Sequence, residues 1–170
     1  PPAPVSSDCD FDVIVIGAGA AGLVAAERAA SRGLRTLLLE KNRKPGVKIL
    51  MSGGTRCNLT HDTDRRGIVD AYGKQGRFLH SALAALGTKE LIALVEQEGV
   101  PTKIEDTGKV FPVSDSATDI LQAFLKRLRR TSCEMALEEP AREIERAPAG
   151  DAGEAGEPRF RVTTSKRALV

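Results

Sequence analysis

The run Gly17-Ala18-Gly19-Ala20-Ala21-Gly22 holds the residue types and spacing best suited to chemistry. It is a glycine turn of the form G-x-G-x-x-G, and its chemistry would be the capture of a diphosphate. Gly17 permits a tight turn. Gly19 lets the backbone approach a pyrophosphate with no Cβ in the way, and Gly22 lets a helix pack closely on a sheet. Ala20 and Ala21 would open that helix, whose free N–H groups favour an anion. Glu40 follows, at the end of a second apolar run. A carboxylate there can accept hydrogen bonds from ribose hydroxyls. It also repels a 2′-phosphate, which disfavours NADP in this pocket. The pattern alone does not choose between FAD and NAD, nor does it establish a reaction.

A second dense segment runs from Gly46 to Thr60, GVKILMSGGTRCNLT. The pair Gly53-Gly54, flanked by Ser52, Thr55, Arg56 and Asn58, suits backbone approach to a flat or anionic ligand. Lys48 and Arg56 bracket the glycine pair with positive charge. Cys57 has no second cysteine within a few residues, so a working dithiol is disfavoured and a small packed residue is expected. His61 and His80 have no evident partners. No residue is assigned as catalytic, and no metal site is expected.

The elements that must position these residues follow from the pattern around them. Val13-Ile14-Val15-Ile16 reads as a strand buried on both faces. The stretch from Ala20 to Arg32 is alanine-rich and helix-favouring, and Gly33 suits a left-handed end. Leu34–Glu40 reads as a second strand. Strand, helix and strand in that order form a βαβ unit, which implies a parallel sheet. Residues 41–75 show little periodicity and are expected to be mostly loop. Phe78, Leu79, Ala82, Leu83 and Leu86 form a helical stripe. Gly87-Thr88 interrupts it, Lys89–Glu98 resumes as helix, and Gly99 and Pro101 stop it. Residues 101–112 read as two short extended segments turning at Thr107-Gly108. Ser116 and Asp119 match a capping box before a further helix with the apolar stripe Ile120, Leu121, Phe124, Leu125 and Leu128. Lys126, Arg127, Arg129 and Arg130 oppose the dipole at its end. Strands are expected over 133–147 and 159–164. Residues 1–10 read as a loose arm and 148–158 as a flexible loop.

Composition bounds the rest. The 170 residues carry 25 Lys+Arg and 23 Asp+Glu, a net charge of +2. That balance supplies no field toward nucleic acid or membrane, so nucleic acid is disfavoured though left open. Hydrophobic residues at 41% and charged residues at 28% describe a globular chain and exclude a disordered or collagen-like one. No apolar run approaches the ~20 residues of a membrane span, so no membrane role is expected. Three cysteines without C-x-x-C spacing fit a reducing compartment, hence a cytoplasmic location.

The sequence resembles the N-terminal part of the BaiN/YhiN-type NAD(P)/FAD-dependent flavoproteins, from about Phe11 to Val170. DVIVIGAGAAGLVAA, LLLEKN, GVKILMSGGTRCNLT and GKVFPVSDSATDIL carry the likeness. The third motif is the specific one, similar to the family's lysine-then-SGGGRCN block. Thr55 departs from that block's third glycine, His61 stands where Asn is usual, and Lys109 replaces an Arg.

The resemblance implies an α/β, Rossmann-like FAD-binding βαβ domain with a parallel sheet plus a small β-meander, spanning residues 11–170 and incomplete. It implies FAD, with the ADP half on Gly17, Gly19, Ala20, Ala21, Gly22, Glu40 and Lys41. The loop of Lys48, Ser52, Gly53, Gly54, Arg56, Cys57 and Asn58 would lie toward the isoalloxazine. Arg56 or Lys48 would stabilise the negative charge of the reduced ring. Ala141 matches a backbone contact to adenine. The implied activity is hydride transfer from NAD(P)H through flavin to an unsaturated small molecule, or to a base in RNA. A flavin-free NAD-binding dehydrogenase half and an inactive nucleotide-binding fragment are the alternatives. The family's chains are longer, closing with an Ala-Thr-Gly-Gly-like strand end and a Gly-Asp segment. This chain ends on the apolar Ala168-Leu169-Val170, so it is expected to be an N-terminal portion that holds FAD weakly or not at all.

Overall fold

The computed structural model describes residues 9–146 and 159–170. The arm expected over residues 1–10 lies outside the described residues as far as residue 8, and the loop expected over 148–158 lies outside them entirely. The described residues fall into two compact units, one of residues 9–47, 127–146 and 159–170, the other of 48–126.

In the first unit the βαβ order is present. Strand β1 (Val13–Ile16), helix α1 (Ala20–Ala30) and strand β2 (Thr36–Leu39) follow one another. β1 pairs parallel with β2, and β2 pairs parallel with β6 (Glu134–Ala136), so β2 lies in the middle. This corrects the expected burial. All four residues of β2 are buried, whereas β1 is only half-buried and Ile16 is exposed. Among the described residues β1 has one paired neighbour and β2 has two, and the pairing decides the burial.

The stretch 133–147 is not one strand. Its first part is β6. Its second part is β7 (Ala141–Arg146), which pairs antiparallel with β8 (Phe160–Thr164), and β8 pairs with β9 (Ala168–Leu169). The apolar end of the chain thus forms the third strand of a small meander. Leu37 and Leu39 of β2 share a buried cluster with Val162 and Leu169, and Phe11, Ile14, Ala136 and Ala141 pack against it. Arg35 clamps the start of the sheet. Its Nη2 and backbone N–H each donate to Asp12 at 2.7 Å, and its Nη1 donates to the Cys9 carbonyl. Near the end of helix α6 (Ala117–Arg129), Arg127 donates to the buried Glu27 of α1 at 3.1 Å. One member of the basic cluster therefore serves an internal ion pair.

The second unit holds an antiparallel sheet in the order β3 (Thr60–His61), β5 (Lys109–Pro112), β4 (Thr102–Ile104). The two extended segments and their turn at Gly108 lie where the sequence places them. The expectation of mostly loop over 41–75 holds for 41–46 and 52–59 and is corrected in part elsewhere. Helices α2 (Val47–Met51) and α3 (Arg65–Ala71) form there, and a 3-10 helix begins at Gly73 and runs to Leu79. Helices of 5 and 7 residues are too short for a repeat to show. Asp64 caps α3 by accepting from the Gly67 N–H at 2.8 Å.

The stripe from Phe78 to Leu86 is also corrected. Its first two residues belong to the 3-10 helix and the rest follow in α4 (His80–Ala85), with Leu86 just beyond. A 3-10 turn takes 3.0 residues rather than 3.6, so the facing changes at the junction. Phe78 is 90% exposed. Helix α5 (Thr88–Glu96) follows, and α6 (Ala117–Arg129) buries its expected stripe. The Asp119 carboxylate accepts from the Ser114 hydroxyl. Among the described residues no single helix is long and apolar enough to cross a membrane.

Candidate functional site

In the first unit the three motif glycines show three separate reasons for being glycine. Gly17 has φ +97°, left-handed backbone that a side chain would strain. A Cβ on Gly19 would meet nothing within 4 Å, so the backbone there is open to an approaching group. A Cβ on Gly22 would overlap the Gly17 carbonyl oxygen, so the first turn of α1 packs directly on the glycine corner. Gly19 is the N-cap of α1 and offers no side chain to the helix N–H groups. Those donors are available to an anion.

Glu40 is buried at the end of β2 and its carboxylate faces this corner. Oε2 accepts the Ala18 N–H at 2.8 Å, and Oε1 accepts the Asn42 backbone N–H at 2.9 Å and the Asn42 side-chain amide at 2.7 Å. The Glu40 N–H donates to Ala136 in β6, and its carbonyl accepts from Glu139. The Gly46 N–H closes on the Ala18 carbonyl at 2.7 Å. The acid is therefore locked against the turn it was expected to serve. Sequence reasoning missed Ala18 and Asn42 as its partners, though Asn42 lies two residues on, within the quoted LLLEKN. Lys41 is exposed, and Ala141 begins β7 with its side chain against the buried cluster.

In the second unit the Ser52–Asn58 loop is built on left-handed backbone. Gly53, Gly54, Thr55 and Cys57 have φ of +57°, +66°, +72° and +62°. Thr55 occupies a conformation that glycine adopts without cost, which explains why glycine suits that position. A Cβ on Gly53 would stand 2.7 Å from the Asn58 nitrogen and 3.0 Å from Phe111, while Gly54 faces open space. Cys57 N–H donates to Ser52, and the Thr55 carbonyl accepts from Ala117 N–H at 2.9 Å.

Arg56 holds the loop in place. Its Nη1 donates to Glu105 at 2.6 Å and to Asp115 at 3.3 Å, and the guanidinium carbon stands 4.1 Å from the Phe111 ring centroid. Lys103 donates to the other Asp115 oxygen at 2.6 Å. The Lys103 hydrogen bond, with that of Arg56, holds the Asp115 carboxyl below its ordinary range. The cation expected to face a reduced flavin is thus neutralised within its own unit. Lys48 is exposed. Cys57 is buried, and burial pushes its thiol pKa up, away from a thiolate. Glu105 and Asp115 had no signal in the sequence, being 49 and 59 residues from Arg56.

The HI0933-like protein Rossmann domain family matches residues 11–164. The chain is 43% identical over 112 residues to a ribosomal RNA dihydrouridine synthase of Escherichia coli strain K12, covering 65% of this chain and 27% of that protein. It is 30% identical over 135 residues to the Haemophilus influenzae protein of the same description, covering 78% and 32%. It therefore spans about a quarter to a third of the length of these relatives. Among solved structures, the 3-ketosteroid-delta4-(5alpha)-dehydrogenase of Rhodococcus jostii RHA1 has a TM-score of 0.62 at 13% identity, covering 98% of this chain and 46% of that one. Thermovibrio ammonificans THI4 has a TM-score of 0.59 at 14% identity, covering 91% and 47%. Likeness at that identity shows the Rossmann-like fold.

Proposed function

The chain belongs to the HI0933-like Rossmann domain family, and from that premise we propose that it is the FAD-holding portion of a flavin-dependent oxidoreductase. The acceptor we infer is a carbon–carbon double bond, specifically that of a uracil base in RNA, in keeping with the relatives named as ribosomal RNA dihydrouridine synthases. The observation that carries the flavin reading is the bond from Ala18 N–H to Glu40 Oε2. It sets an acid beside an open glycine corner and an uncapped helix start.

The residues fit an ADP moiety by their donor chemistry. The diphosphate would lie over Gly17 and Gly19 against the N–H groups of Ala20 and Ala21. Glu40 keeps Oε2 anchored on Ala18 and Oε1 on Asn42, which leaves a lone pair of Oε2 for a ribose hydroxyl. Bound FAD would supply two-electron chemistry, taking hydride from NAD(P)H and delivering it to one carbon of the double bond while a proton reaches the other. In the second unit Gly54 faces open space, while the Ser52 backbone is spent on Ile49 and Cys57. Arg56 acts there as a positioning residue, because Glu105 and Asp115 take up its charge. Buried Cys57 fills space beneath the loop.

Binding competition tests this reading. FAD and ADP should compete for the chain, NAD should bind more weakly than FAD, and FMN, which lacks the ADP half, should not compete. Equal affinity for FMN, or failure of ADP to compete, would overturn it.

A further inference from the structure

Outside the residues given to the flavin, the most unusual surface lies on the 3-10 helix of the second unit. Phe78 is 90% exposed and Tyr72 is 64% exposed. Both rings line one hollow of about 510 Å³ with Lys74, Gln75, Arg77 and Leu79. That volume lies in the roughly 300–1,000 Å³ range of small-ligand clefts. The base of the hollow is fixed. Gly76 is buried, and a Cβ there would overlap the Val69 carbonyl of α3, so the 3-10 helix is pressed onto α3.

Charge sorts the possible occupants. From Ala71 to Lys89 the sequence has Lys74, Arg77 and Lys89 and no acidic residue. The whole chain carries only +2, so this stretch alone exceeds the net surplus. On the adjoining α3, Arg65 and Arg66 are offset by the N-cap Asp64 and by Asp70, which stands 3.9 Å from Arg66, so the free positive charge at the hollow is that of Lys74 and Arg77. Two isolated rings interleaved with cations and an amide suit bases that stack and phosphates that pair. An apolar protein face would leave the cations without partners. A bilayer favours a broader apolar face than two rings supply.

We propose that Tyr72 and Phe78 form a stacking platform for single-stranded RNA, with Lys74 and Arg77 on its phosphates. The choice of RNA rests on the acceptor inferred above, whereas the hollow and its charge stand independently of it. The platform is a binding surface that delivers RNA, and no chemical step is assigned to it.

Fluorescence anisotropy with a labelled oligouridylate tests it on the full chain, alongside ADP affinity on the same samples. Phe78→Ala and Tyr72→Ala should each weaken oligouridylate binding about tenfold, the effect of losing one stacked base. Arg77→Glu should weaken it and lessen its salt dependence. Arg142→Glu, an exposed charge change on β7, should have a much smaller effect. ADP affinity should stay unchanged in the ring variants.

Oligouridylate affinity untouched by both ring changes would overturn the proposal. So would Phe78-dependent binding to phosphatidylglycerol vesicles without RNA binding, or Phe78-dependent self-association in its place. If the wild-type chain binds ADP and no oligouridylate, the platform fails and the flavin reading stands. If it binds oligouridylate through the rings and neither ADP nor FAD, the platform stands and the flavin reading fails.

Discussion

The glycine corner of the first unit and the Ser52–Asn58 loop of the second both use left-handed backbone, and they are held by different means. At the corner, the partners that set the motif are close in sequence or on the adjacent strand: Gly22 packs on Gly17, and Glu40 at the end of the adjacent β2 seizes Ala18. The loop also contains non-glycine residues at positive φ, Thr55 and Cys57. Its clamp comes from Glu105, Asp115 and Phe111, far along the chain. A motif held by near neighbours declares itself in a short string of letters. A loop held by distant carboxylates does not.

Paired substitutions at the corner should break this contrast most sharply. Gly22→Ala forces a methyl group into the Gly17 carbonyl, so it should cost about 3 kcal/mol in urea unfolding and remove ADP binding. Gly19→Ala meets no atom and keeps ordinary extended backbone, so it should unfold within about 0.5 kcal/mol of wild type. It should still lose ADP binding, because the added methyl stands where the proposed diphosphate would lie. Equal stability losses in the two variants would show that the glycines are not doing separate jobs.

In the loop, Arg56→Ala should lower the urea midpoint only slightly, since its ion pairs are partly exposed. It should also increase proteolysis within residues 52–58. Arg56→Lys should restore the charge and not the loop, because an ammonium cannot reproduce the guanidinium fork and its stacking on Phe111. Full rescue by lysine would reduce the clamp to simple charge.

Acid titration separates the units again. The Arg35 side-chain hydrogen bond holds the Asp12 carboxyl below its ordinary range, and Lys103 does the same for Asp115. Each folded pKa lies below the unfolded value near 3.8. Their stabilisation is therefore full above that value and is lost as pH falls through the folded pKa. Asp12→Asn should flatten the acid limb of a stability–pH curve more than Asp115→Asn, because the Asp12 side chain is 5% exposed and Asp115 is 42% exposed. Added salt should erase the Asp115 effect first.

The smallest change expected is a gain. Thr55→Gly relieves a β-branched residue at φ +72° and should stabilise the chain by about 0.5 kcal/mol, read as a shift in the urea midpoint. A loss would mean that Thr55 makes a contact worth more than its strain.

The βαβ start was legible because a buried parallel strand, an alanine-rich helix and a glycine turn each write a local pattern. The hairpin at Gly108 and helix α6 were legible for the same reason. Phe78 was misjudged because a 3-10 segment changes the angular step while the letters still fit a 3.6 repeat. The split of 133–147 was invisible because β6 and β7 differ in which strands they join, and strand letters do not name their partners.

The sequence by itself determined the glycine corner, the acid that follows it and the order of strand, helix and strand. These depend on φ, on the absence of a Cβ and on short-range periodicity, all properties of neighbouring residues. Tertiary structure decided that β2 and not β1 is fully buried, that Arg56 is neutralised by Glu105 and Asp115, and that Phe78 faces outward. Burial and ion pairing belong to residues brought together across long stretches of chain, so only the folded arrangement can assign them.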